Sequence, residues 1–434
     1  METMNSSASA SRWELDGRAV GALAAVSATS VANCYYIQPL LGTVGTALAL
    51  PQAWLGLLPA VFQLGLAVGI CFLLPLADVI TARKLLVIVV PLQIAALLLI
   101  AASSNVELFA IGCIAAGLFG ITPYVLPPYA SLHVPASRIG RVTGMLTSGV
   151  ICGILMARTV AGLVAVHYGW RTVYALAACA MIACLGVILK EVKPSLRPKT
   201  AAVGYRYLIQ SLIGLFTASP TLRTAAYCQA LSFGSFNVFW LGSALYLHDR
   251  FGWRPDQIGY VALLGAAAAV CAPLFGRLVD RVGPQRTRPA ALATIVVAWA
   301  LLALCRDSLL VMAIALVMLD LGSTVTDISN RSILYGLAHN VRTRLNALYT
   351  IAMFVGGAAL SIGVGICWAT GGWLAVCALG AISAALSMIL ALSHVSDDGG
   401  WVFWISASLH SVWERRTFNP PKALNETSPD QSAD

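Results

Sequence analysis

The chain has 434 residues, 59% of them hydrophobic and 10% charged, against about 25% charged residues in an ordinary soluble domain. No water-soluble unit hides that much apolar surface, so lipid is the solvent for most of the chain. The net charge of +9 comes without a basic stripe of interleaved aromatics, which argues against a nucleic-acid partner and for basic loops on one side of a membrane.

Residues 1 to 17 are polar and read as a tail. The first apolar stretch is long and carries Asn33, Tyr35, Tyr36 and Gln38, unlike a short secretory leader, and is expected to persist as a membrane helix. A helix needs about 20 apolar residues to cross the hydrocarbon. Stretches of that size recur at 18 to 41, 53 to 77, 84 to 103, 106 to 131, 140 to 166 and 170 to 190, then at 224 to 247, 256 to 278, 288 to 305, 309 to 337, 345 to 369 and 373 to 394. The expected fold is therefore an all-α integral membrane protein with twelve transmembrane helices in two six-helix bundles, 18 to 190 and 224 to 394.

Between the bundles, 191 to 223 is a basic linker with Pro194, Pro198 and Pro220. Within it, Tyr205 to Phe216 reads as an amphipathic helix on the membrane surface. The tail, 395 to 434, holds Trp401 to Trp404 and Trp413 to Arg416; these runs are too short to span and suggest an interfacial segment before a disordered acidic end. Eleven cysteines lie in apolar stretches with no C-x-x-C pair, so neither a disulfide framework nor a zinc site is expected.

Lys and Arg set the orientation. With the N-terminus inside, the inner loops and tails hold twenty-one of them and the outer loops four, Arg171, Arg250, Arg254 and Arg306. Both termini are expected in the cytoplasm, and the protein in a bacterial inner membrane. The halves also repeat. Gly169 to Leu176 matches Gly372 to Leu379 at five of eight positions, 203 residues later; Leu55-Gly56 meets Ile258-Gly259, Arg141 meets Arg344 and Gly153 meets Gly356 at the same spacing. Asp78 meets Asp280 at 202. A six-plus-six duplication places a substrate site between the repeats at the bilayer midplane.

The loop after the eighth span reads Gly276-Arg277-Leu278-Val279-Asp280-Arg281-Val282-Gly283-Pro284-Gln285-Arg286. This G-x-L-x-D-R-x-G-x-x-R pattern resembles the signature of the major facilitator superfamily. The first-half counterpart keeps Leu76-Ala77-Asp78 and Arg83-Lys84 but lacks both glycines and the first Arg. A carboxylate at a helix end can accept hydrogen bonds from backbone N–H groups or Arg across the two halves, where glycines allow close approach. Asp78, Arg83, Lys84, Gly276, Asp280, Arg281, Gly283 and Arg286 are thus the candidate gate. Ala32-Asn33-Cys34-Tyr35-Tyr36-Ile37-Gln38-Pro39-Leu40-Leu41, Asp320-Leu321-Gly322, Ser329-Asn330, Arg344-Leu345-Asn346-Ala347-Leu348-Tyr349 and Gly356-Gly357 look like the twelve-helix drug:proton antiporter type, an arabinose-efflux-like branch of bacterial exporters. The fifth-helix motif of that type is partial: Gly144, Gly149, Gly153 and Gly162 are present, its closing G-P is absent, and Arg158 lies in that region.

A charge at mid-bilayer costs about 2.5 to 3.5 kcal/mol on insertion scales, so such residues face a cavity or a partner. Arg158, Asp320, Asp327 and Arg331 are the candidates. Asp320 and Asp327 are seven apart, on one helix face and about 10 Å from each other. A carboxyl moving between an apolar setting and the side of an Arg can load and release a proton near neutral pH, so Asp320, with Asp327 second, is the expected proton carrier; the alternative is a static Asp–Arg pair. Arg331 can pair with Asp327 four residues away or snorkel to the inner surface. Arg158 needs a partner elsewhere, Asp320 across the cavity, or an anionic ligand. The resemblance makes helices one, four, seven and ten the path, so Asn33, Tyr36, Gln38, Thr122, Tyr124, Gln229, Asn237 and Trp240 are candidate substrate contacts, or else interhelical hydrogen bonds and anchors. Pro123, Pro127 and Pro128 suggest kinks, and Gly356-Gly357 with Gly363 and Gly365 close packing.

These readings converge on secondary transport by alternating access, with proton-coupled efflux of a small organic molecule expected. A uniporter or importer of the same fold and a non-transporting membrane sensor are the alternatives. No catalytic cluster is present, so no enzyme is expected; no cofactor is expected beyond a proton gradient, and no partner beyond the bilayer and the small molecule, as a monomer.

Overall fold

The computed structural model describes residues 14–193, 205–337 and 342–393. Most of the expected N-terminal tail, linker residues 194–204 and the tail with Trp401 and Trp413 lie outside them. Among the described residues the secondary structure is helical. The first bundle runs α1 (Gly17–Ala32), α2 (Ile37–Ala47), α3 (Leu57–Phe72), α4 (Ala82–Ala102), α5 (Val106–Leu118), α6 (Thr122–Leu132), α7 (Ile139–Tyr168) and α8 (Trp170–Glu191). After α9 (Tyr205–Ala218) come α10 (Pro220–Phe251), α11 (Pro255–Val261), α12 (Ala266–Val282), α13 (Pro284–Leu304), α14 (Leu309–Tyr335) and α15 (Arg342–Ser393). Ten stretches are long and apolar enough to cross a membrane. The last of these, α15, is two helices joined at Gly372, and α11 with α12 supplies one more pass, which gives the twelve.

Prolines explain the broken passes. Pro39 has no N–H to give the Tyr35 carbonyl and its ring crowds that turn; α1 accordingly stops at Ala32 and α2 starts at Ile37. The first pass is therefore broken and ends at Ala47, not at residue 41 as hydropathy suggests. Pro123 has the same effect between α5 and α6, the kink expected there. The seventh helix starts at Pro220, capped by Ser219, so the end of the supposed linker is helix. The ninth begins at Pro284 rather than 288, and Arg288 is buried instead of lying in a loop.

The repeat is visible in the backbone. Gly169 (φ +83°) joins α7 to α8, and its mate 203 residues on, Gly372 (φ +57°), joins the two arms of α15, a conformation that glycine adopts without a Cβ penalty. Gly363 lies against Leu379, so those arms run antiparallel. Large apolar side chains such as Leu98, Ile111, Ile182, Leu310 and Ile389 are exposed on the outside of the bundle, as a lipid-facing surface requires.

Four glycines bring the halves together at one end. A Cβ on Gly56 would sit 1.8 Å from the Ser361 carbonyl oxygen, and one on Gly365 2.5 Å from that of Ala53. A Cβ on Gly162 would sit 2.3 Å from the Pro255 carbonyl oxygen, and one on Gly259 2.7 Å from that of Arg158. Gly56 and Gly259 are repeat mates, as are Gly162 and Gly365, so α3 meets α15 as α11 meets α7. Thr159 ties this seam by donating to the Gly259 carbonyl at 3.0 Å. At the opposite end, where Asp78 and Arg344 lie, the halves part around a cavity of about 460 Å³ lined by residues of both.

Candidate functional site

The polar centre of the molecule sits between the glycine seam and the cavity. Arg158 projects from α7 at 2% exposure. Its guanidinium lies 3.9 Å from the centre of the Trp240 ring and 5.2 Å from that of Tyr35, stacking that suits a delocalised planar cation. Its Nε donates to Gln38 Oε1 at 2.6 Å. Gln38 Nε2 donates to Asn237 Oδ1 at 3.4 Å, and Asn237 Nδ2 to Gln63 Oε1 at 3.3 Å. This chain of side chains joins α7, α2, α10 and α3 across both halves. Gly357 makes room for it: a Cβ there would lie 2.6 Å from Gln63 Oε1 and 2.8 Å from Asn237 Nδ2.

Asp320 lies on α14, 8% exposed. Its Oδ2 faces Gly265, where a Cβ would be only 2.5 Å away. Its charge and that of Arg158 act on each other, yet no ion pair within 4.0 Å joins them, and the expected direct pair is replaced by the Arg158–Gln38 bond. Arg158 Nη2, Asp320 Oδ2 and Trp240 Nε1 are all buried with no hydrogen-bond partner. Burying such atoms unmet is unfavourable.

Asp327 and Arg331 form a second cluster nearer the cavity. Arg331 Nε donates to Asp327 Oδ2 at 2.9 Å, and the Tyr349 hydroxyl donates to Asp327 Oδ1 at 2.7 Å. Arg331 also donates to Asn346 Oδ1 and lies 4.9 Å from the Tyr349 ring centre. Of the two readings left open for Arg331, the pair with Asp327 is found. Asn346 and Tyr349 belong to the Arg344 to Tyr349 run, which supplies partners for the ions on α14.

The other candidate contacts divide. Tyr124 lines the cavity and meets Phe354 of the second half edge-on. Asn33, in the break between α1 and α2, and Thr122 are buried with unpartnered polar atoms. Tyr36 instead packs edge-on against Tyr174 of α8. Gln229 accepts from Asn330, which itself accepts from Arg288, while Arg288 also donates to the Ala391 carbonyl. That network ties α10, α13, α14 and α15 inside the second half. Sequence reasoning missed Gln63 and Arg288; Gln63 carried a signal, as a polar residue in the middle of an apolar span.

Of the expected gate, Asp78 lines the cavity and feels the charge of Arg344 from the other half. Arg83 turns inward to its own half, donating to the Val192 carbonyl that ends α8 at 2.9 Å. Lys84 is exposed; its backbone N–H is capped by Thr81. Asp280, Arg281 and Arg286 are exposed, and Gly276 and Gly283 are half-buried. Gly283 has φ +92° and joins α12 to α13, whereas the first-half loop, without its glycines, makes a 3-10 turn over Leu74–Asp78.

The chain folds into two helical bundles with a duplicated seam and a cavity between the halves at one end, and the family model for the Major Facilitator Superfamily matches residues 23–358 and 225–402. The chain belongs to that superfamily. It is 32% identical over 378 residues, 87% of its length and 95% of the relative's, to the putative uncharacterized transporter YgaY of Escherichia coli (strain K12). Over 272 residues it is 28% identical to the multidrug resistance protein MdtG of Enterobacter lignolyticus, covering 59% of this chain and 61% of the relative. The crystal structure of the human organic anion transporter MFSD10 superposes with a TM-score of 0.67 at 13% identity, covering 86% of this chain and 99% of that one, a likeness of fold. The protein is a multi-pass membrane transporter and not an enzyme.

Proposed function

We propose that the chain is a proton-coupled exporter of small organic molecules that works by alternating access, with Asp320 as the proton-carrying group and Arg158, held by Gln38 and Trp240, as its counter-charge. The observation that carries this reading is a buried carboxylate and a buried guanidinium that stay apart, each with an unmet polar atom, placed between a closed seam and an open cavity. An ion in that position is retained where it binds something that comes and goes. The basic loops put the cavity on the cytoplasmic side of a bacterial inner membrane by the positive-inside rule, so this conformation is inward-open. Kinship with a multidrug resistance protein supports export over import. Asp327, satisfied by Arg331 and Tyr349, holds α14 to α15.

In proteoliposomes, an imposed proton gradient is expected to drive uphill movement of at least one compound from a panel of small organic molecules, and Asp320→Asn is expected to abolish the gradient dependence. Movement that ignores the gradient in both proteins would overturn the coupling. An absence of all movement, with ligand binding retained, would overturn transport in favour of sensing.

A further inference from the structure

The reading above leaves the cargo chemically open, and the charges at the centre narrow it. Arg158 Nη2 is an unmet donor on a permanent cation, and Asp320 Oδ2 an unmet acceptor on a carboxylate. The residues are 2% and 8% exposed, and each lies in the other's field. Two opposite charges buried in one region would be most simply satisfied by a direct pair, and here they do not make one.

The geometry holds them in that condition. The Arg158 plane is fixed between Trp240 and Tyr35, and its Nε is committed to Gln38, whose amide is committed in turn to Asn237. The guanidinium therefore cannot swing to Asp320 without giving up a 2.6 Å hydrogen bond and its stacking. Asp320 is backed by Gly265, so close that any side chain at 265 would occupy the place of its Oδ2. What remains is one unmet positive donor and one unmet negative acceptor in the same buried region, with aromatic rings beside the donor. A simple anion would meet Nη2 and be repelled by Asp320; a simple cation would do the reverse. A molecule carrying both signs satisfies both.

We infer that the cargo is a small zwitterion, an amino-acid-like molecule whose carboxylate is held by Arg158 Nη2 and whose ammonium is held by Asp320 Oδ2. This rests on the transport reading and deepens it, because a proton and the ammonium then compete for the same carboxylate oxygen, which is the exchange that proton-coupled export needs. Arg158 is the charged group whose field acts on Asp320. On its own helix, Asp327 and Arg331 neutralise each other at 2.9 Å. Tyr35 and Cys34 lie beside Arg158.

The test uses the full-length protein in nanodiscs and reads ligand-induced thermal shift and binding isotherms for defined probes. These are phenylalanine, γ-aminobutyrate and ε-aminohexanoate as zwitterions of increasing charge separation, each compared with the amine and the acid of the same skeleton. At least one zwitterion is expected to bind about tenfold or more tightly than both of its single-charge analogues, the scale of one lost charge-assisted hydrogen bond. Asp320→Asn should bring the acid level with the zwitterion, and Arg158→Gln should bring the amine level with it. Arg158→Lys, which keeps charge but loses the planar fork, should retain a reduced preference, and unliganded melting curves identify any variant that fails to fold. A single-charge analogue that binds as well as its zwitterion in the wild type, a preference that survives both variants, or no zwitterion binding across the series would overturn the inference. Zwitterion binding without gradient-driven flux would leave it standing and overturn the exporter reading; gradient-driven flux of singly charged compounds alone would do the opposite.

Discussion

Helix α14 carries two aspartates on one face, and the rest of the molecule treats them in opposite ways. Asp327 is enclosed by Arg331, Tyr349 and, through Arg331, Asn346. Asp320, seven residues earlier, shares its region with Arg158 but keeps an oxygen unmet, because Arg158 is claimed by Gln38 and stacked on Trp240. One couple is a clasp between α14 and α15, completed within the second half. The other straddles the two halves and is left incomplete. Under the proposed function, incompleteness rather than mere burial of charge is what sets the proton carrier Asp320 apart from Asp327.

Asp320→Asn breaks the comparison most severely: gradient-driven flux should fall to background, whereas Asp327→Asn should keep its dependence on the gradient. Removing the positioning bond is next. Gln38→Leu leaves Arg158 Nε buried without an acceptor, and should weaken binding or stability by about 1.5 to 3 kcal/mol, seen as a lower affinity for the tightest probe together with a lower melting midpoint. Asp327→Asn should lower the melting midpoint in nanodiscs, equivalent to about 1 to 2 kcal/mol; the pair's side chains are 29% and 32% exposed, which keeps the loss below that of a fully buried pair. Tyr349→Phe removes one hydroxyl donor from the same clasp and should cost about 1 kcal/mol, with flux unchanged.

How far the sequence carries this distinction can be followed residue by residue. Hydropathy over windows of about 20 residues located the passes, since lipid imposes that length. It misplaced their ends where helices run past the apolar stretch, which is why Arg288 read as a loop residue and proved to be buried. Arg158, Gln38, Asn237 and Trp240 stood out as polar or amphipathic residues in apolar helices, and they do meet. Gln229 and Tyr36 stood out for the same reason and meet Asn330 and Tyr174 within their own halves; a polar residue in a helix does not disclose what the facing helix offers it. The seven-residue spacing of Asp320 and Asp327 placed them on one face; it could not say that one meets Tyr349 and the other Gly265. Likewise Gly56 and Gly259 were legible as repeat landmarks, but their use, letting backbones touch across the seam, depends on Ser361 and Arg158 arriving from other helices.

Infrared difference spectroscopy of the lipid-reconstituted protein during a pH titration tests the contrast without knowledge of any cargo, by following the carbonyl stretch of a protonated carboxylic acid. A band that appears on acidification in the wild type, persists in Asp327→Asn and vanishes in Asp320→Asn is the predicted result. A band that survives in Asp320→Asn and vanishes in Asp327→Asn would contradict the assignment of the two aspartates.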